Sequence, residues 1–130
     1  IPVMGHLGLL PQSETGKFRF KGQKFFEKNK ILNDAKLLET AGVFSIVLEC
    51  IETSLAKLIT NSVNIPTIGI GASQYCDGQI LVTDDLIGLN PIKVRFVKKY
   101  SNIKKIIKNA VFNYSKDVIE KKFPKKKHSY

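Results

Sequence analysis

The run VFSIVLECI at residues 43–51 constrains the fold more than any other stretch, because it is apolar on both of its faces except at Glu49. A strand with one wet face alternates apolar and polar residues. A run without that alternation is covered on both sides, as in parallel sheets flanked by helices. The neighbouring segments fit the same scheme. A first strand is expected over Ile1–Gly5, turning out through GHLGLLPQ into a polar loop over Ser13–Gly22. A helix is expected over Lys28–Thr40, with Ile31, Leu32, Ala35 and Leu38 on one face and Gly42 placed to end it. Thr53 or Ser54 is placed to cap a short helix carrying Leu55, Leu58 and Ile59. IPTIGIGA and QILVTDD supply two further strands, and a helix over Ser101–Glu120 closes the pattern before Pro124.

Strand and helix in alternation imply right-handed βαβ units and a parallel sheet, so the expected class is α/β. The 130 residues suffice for one domain. A closed (β/α)8 barrel needs eight strands and about 250 residues. The chain therefore reads as half of one.

In parallel sheets the chemistry gathers at the carboxyl ends of the strands. His6 and Glu49 each stand at such an end, and parallel neighbours bring them to one rim. Glu49 closes an apolar run where an ionised carboxylate is costly unless it is paired or given a task. A structural salt bridge and a general base both satisfy that demand. His6 reads either as a hydrogen-bonded structural residue or as a site residue. Gly69 and Gly71 in IGIGA suit close approach of a ligand or close packing of the next segment, without the full spacing of a phosphate cradle. Cys50 and Cys76 fit no CxxC or zinc spacing and are expected to be buried or incidental thiols.

The net charge of +10 raises the question of nucleic acid. Lys104, Lys105 and Lys108 alternate with Ile103, Ile106, Ile107, Ala110, Val111 and Tyr114, as on the wet side of an amphipathic helix. Lys121, Lys122, Lys125, Lys126 and Lys127 form a basic tail. Aromatic stacking platforms do not alternate with these cations, which favours a solvated face over a nucleic-acid surface. No apolar run reaches the ~18–20 residues of a membrane span and the N-terminus lacks signal-peptide order, so the expected location is cytoplasmic.

The segments PVMGHLGLLPQS, AGVFSIVLEC, SLAKLIT, IPTIGIGA, CDGQILV, DDLIGL and FPKKKHSY stand in the order found in ketopantoate hydroxymethyltransferase. The chain resembles that family from Ile1 to Tyr130. The resemblance implies the C-terminal half of a (β/α)8 TIM barrel, with residues 1–130 a half-barrel of a single domain whose N-terminal half is absent. It implies hydroxymethyl transfer from methylenetetrahydrofolate to 3-methyl-2-oxobutanoate, giving ketopantoate on the route to pantothenate and coenzyme A. Glu49 is then the proton acceptor and His6 a substrate-binding pocket residue. A carboxylate of pKa ~4.3 is too weak a base for such a carbon acid unaided. The family meets this with Mg2+ as a Lewis acid. Its Mg2+ ligands and a substrate-binding lysine belong to the N-terminal half, so no metal ligand is expected in this chain. Implied partners are the two substrates, the missing half and further copies in a homo-oligomer, with neither membrane nor nucleic acid.

Three positions depart from the family pattern. SETGKFRFKG over residues 13–22 is shortened and altered, Ser73 replaces a glycine, and Asp84 replaces a histidine before Asp85. Two other readings stand beside the enzyme. One is an inactive truncated remnant that acts at most as an interaction module, and the other is a basic nucleic-acid-binding protein.

Overall fold

The apolar run forms β2, Ser45–Glu49, between β1, Met4–Gly8, and β3, Thr67–Ile70. The computed structural model describes residues 1–10, 19–91 and 93–130. Residues 13–18 of the expected loop therefore lie outside the described residues. The sheet has four strands, the last being Gly78–Gln79 (β4), and every pairing is parallel. Strand order follows the chain, β1-β2-β3-β4. That is the order of a barrel segment, whereas a doubly wound sheet reverses at a switch point. The expected α/β class and parallel sheet hold.

Parity decides what each face of β2 meets, because side chains alternate along a strand. Ile46 and Leu48 are fully buried among residues of the flanking helices, and burying such a side chain stabilises by about 1.5–3 kcal/mol. Val47 and Glu49 share the opposite face and are only partly covered. The first strand corrects its expected bounds. It begins at Met4 rather than Ile1 and runs through His6 to Gly8, because pairing starts opposite Ser45, the first residue of β2. The third strand is also shorter than IPTIGIGA at both ends.

Helix α1, Phe25–Thr40, starts earlier than expected and turns Ile31 and Ala35 into the core, with Leu32 and Leu38 packed at its margin. Gly42 ends it as expected, at φ +86° and with its N–H donated to the Glu39 carbonyl. Helix α2, Thr53–Thr60, buries Leu55, Ala56 and Ile59. Leu58 sits past the edge of that arc and stays half exposed, against expectation. The cap also differs from expectation. Glu52 precedes the helix and accepts from the Ser54 N–H at 3.0 Å and the Leu55 N–H at 3.1 Å, while Lys28 Nζ lies 3.2 Å from its carboxylate. Thr53 Oγ1 donates instead to the Ala72 carbonyl.

QILVTDD is not the strand expected. Asp77 pins the start of β3 by accepting from the Thr67 N–H at 2.8 Å and Thr67 Oγ1 at 2.9 Å, and Thr60 Oγ1 meets that same hydroxyl at 2.9 Å. The pin sets Gly78–Gln79 beside Ile68–Gly69. Thr83–Leu86 then turns into the short helix α3, whose first turn carries Asp84 and Asp85, the sign that suits a helix N-terminus.

The described residues divide into two compact units, Ile1–Leu81 and Val82–Tyr130. The first holds the sheet with α1 and α2. The second holds α3, helix α4 over Ile103–Ile119 and a 3-10 turn over Lys126–His128. Asn102 caps α4 by accepting from the Lys105 N–H. Phe123, beyond the helix, meets Tyr114 of α4 and His128, with ring centroids 5.6 and 5.3 Å apart. Among the described residues no helix is long and apolar enough to cross a membrane.

The bonds from Ser54 hold the Glu52 carboxyl down at about 2. A group depressed in this way stabilises the fold when ionised, so its contribution is complete above pH 4.5 and disappears as pH falls toward about 2. Glu52→Ala is expected to lower stability at pH 7 by about 1 kcal/mol, the usual worth of an N-cap. In urea unfolding the gap between parent and variant should close across that acid range. A gap that stays constant would show that the ionised carboxylate is not its source.

Candidate active site

Glu49 is the last residue of β2 and Gly8, the last of β1, is its register partner. His6 pairs with Val47, so His6, Val47 and Glu49 project from the face that α1 and α2 do not cover. His6 Nε2 lies 3.1 Å from Glu49 Oε2, with the side chains 32% and 18% exposed. An ionised carboxylate only accepts hydrogen bonds, so this contact puts the proton on Nε2. The apolar residues Ile68 and Ile70 extend the same face along β3. A carboxylate engaged through one oxygen, mostly withdrawn from water and flanked by apolar side chains, has the placement of a candidate general base.

The two residues singled out at the rim are thus brought together, although His6 stands inside its strand and not at its end. Gly8 was not singled out. A depression beside β1, lined by His6, Leu7, Asp34, Leu37, Leu38 and Ala41, shares His6 with the pair and leaves Glu49 out.

For Gly69 the packing alternative holds, since an added Cβ would lie 2.9 Å from the Gln79 side chain and 3.1 Å from Cys76 Sγ. Gly71 takes a positive φ of +61°. Both cysteines are free and buried. Burial pushes the Cys50 thiol above its ordinary value, and the neighbouring Glu49 charge adds to the rise. Asp84 and Asp85 belong to the second unit. Among the described residues no group of three or more His, Cys, Asp or Glu is arranged to hold a metal ion.

Comparison with known proteins places these residues in context. A family model described as ketopantoate hydroxymethyltransferase matches residues 1–126. The 3-methyl-2-oxobutanoate hydroxymethyltransferase of Pelagibacter ubique is 69% identical over 130 residues, which are all of this chain and 50% of that protein. The proteins of the same name from Thermosipho melanesiensis and a Clostridium botulinum strain are 53% and 52% identical over the whole chain. The chain spans about half the length of the curated relatives it matches.

Ser73, where a glycine was expected, does not take a positive φ and is buried. Its Oγ accepts from the Tyr75 N–H at 3.2 Å, and its carbonyl accepts from Gln79 Nε2 at 2.7 Å. Backbone freedom is therefore not what this position needs. Ser73→Gly is expected to cost about 1 kcal/mol in thermal or urea unfolding, from the lost hydrogen bond and the added unfolded-state entropy. A more stable glycine variant would contradict this account.

Proposed function

The chain belongs to the ketopantoate hydroxymethyltransferase family, and from that premise we propose that Glu49 is the proton acceptor of the whole protein's one-carbon transfer. In this reading the substrate is 3-methyl-2-oxobutanoate and the one-carbon donor is methylenetetrahydrofolate. Glu49 takes the proton from the carbon beside the ketone, and the electron pair left there forms the new bond to the donor's methylene carbon; both C–N bonds of that carbon break, water supplies the product's hydroxyl, and the two nitrogens of tetrahydrofolate keep one proton from the substrate carbon and one from water. The product is ketopantoate, on the route to pantothenate and coenzyme A in the cytoplasm. The observation that carries the reading is the 3.1 Å contact, on the uncovered face, between His6 inside β1 and Glu49 at the end of β2.

In this reading His6 Nε2–H holds one carboxylate oxygen and the other is assigned to the substrate's proton. The rest of the imidazole, about a third exposed, is assigned to the substrate. Mg2+ is implied by the resemblance, but the described residues offer no cluster for it. We assign its ligands, and the remaining contacts to methylenetetrahydrofolate, to the length of the relatives outside this chain. Assembly into a homo-oligomer is proposed on the same resemblance.

Two substitutions in the protein at its relatives' full length test the assignments. Glu49→Gln is expected to slow both turnover and exchange of the substrate's C3 proton with solvent by about 10²–10⁴-fold, the usual worth of a general base. Exchange at the parent rate would remove Glu49 from the role. His6→Ala is expected to lower turnover while Mg2+ affinity stays nearly unchanged, because the hard cation prefers oxygen ligands. A large loss of Mg2+ binding, followed by calorimetry, would place His6 at the metal instead.

A further inference from the structure

The backbone around Glu49 is held from three separate segments. Its carbonyl accepts from the Leu9 N–H at 2.9 Å, the next N–H, of Cys50, donates to the Ile70 carbonyl at 2.9 Å, and the Cys50 carbonyl accepts from the Lys21 N–H at 2.7 Å. Two residues make this arrangement sterically possible. Gly8, at φ +104°, lies so close that an added Cβ would fall 2.1 Å from the Glu49 carbonyl oxygen and 2.8 Å from Ile51 Cγ1. Cys50 turns the chain out of β2 at φ +50°, in the left-handed region that side chains other than glycine seldom occupy. An outlier of this kind beside a candidate base points to a functional constraint.

We propose that Gly8 and Cys50 are positioning residues for Glu49, setting the direction of its carboxylate through the backbone rather than by touching the substrate. Gly8 removes the side chain that would push the Glu49 carbonyl off the Leu9 N–H. Cys50 supplies the turn that ends the strand at Glu49 while its N–H stays on Ile70. The backbone of Cys50, not its thiol, carries the effect. The inference rests on the reading of Glu49 as proton acceptor.

The test uses the protein at its relatives' full length, with steady-state kinetics and C3 proton exchange. Relief of the contact in Gly8→Ala needs a shift of about 1 Å, a displacement expected to lower kcat by ~10²-fold with little change in KM. Cys50→Gly is expected to keep kcat within about threefold of the parent, since glycine adopts positive φ freely. Cys50→Val, buried and similar in size but β-branched, is expected to lose kcat as Gly8→Ala does. Parent-like kcat and exchange in Gly8→Ala and Cys50→Val would overturn the proposal, as would an equal loss in Cys50→Gly and Cys50→Val. If Gly8→Ala does not fold, the Cys50 pair decides the matter. Glu49→Gln separates the two levels: a parent rate there removes the base itself, whereas its loss beside unaffected positioning variants removes only this inference.

Discussion

The register between β1 and β2 is the constraint on which the rest depends. Parallel pairing of Met4 with Ser45 carries Gly8 to Glu49 and sets His6 two residues back on the same face. A slip of one residue would exchange the faces of β1, turning His6 toward the helices and Leu7 toward the open side. The core guards against that slip. Gly5 lies under α1, where an added Cβ would already stand 3.0 Å from Leu38 Cδ1, and Leu7 packs at the margin of the same cluster. An imidazole in the place of Gly5 would run into Leu38. Packing on one face of the sheet therefore fixes the chemistry presented on the other.

That division also explains how a carboxylate is tolerated in so apolar a strand. Ile46 and Leu48 are fully buried, and an ionised group in either place would meet a large desolvation penalty. Glu49 escapes it by parity and by position. It points away from the helices, and it stands where the strand stops, partly exposed and with His6 at hydrogen-bond distance. A structural contact with His6 is compatible with the proposed role of Glu49, since the ring engages it through Oε2.

Legibility in the sequence followed the strength of periodic signals. The continuous run at 43–51, the i, i+4, i+7 spacing of Ile31, Ala35 and Leu38, and Gly42 at φ +86° all express local rules, and they placed β2, α1 and its end. The fourth strand was misread because QILVTDD has the residues of a strand, yet its pairing is limited by the reach of Asp77 across to Thr67, a contact that composition does not carry. The cap at Glu52 was missed for a related reason. A glutamate is not a usual N-cap, and Lys28, from another helix, helps to hold it. The pairing of His6 with Glu49 was readable from the rule that parallel strands end together, but the role of Gly8 became visible only once a missing Cβ could be measured against a carbonyl oxygen.

The Thr60, Thr67 and Asp77 network lies at the start of β3, while Glu49 lies at the finish of β2, and the two strands run the same way. The anchoring network and the candidate base therefore sit at opposite ends of one short ladder. Changes at sites so separated add without interference. An evolving or engineered member of this lineage is free to reinforce the anchored end as temperature or acidity demands, while the end that carries Glu49 follows its own independent line.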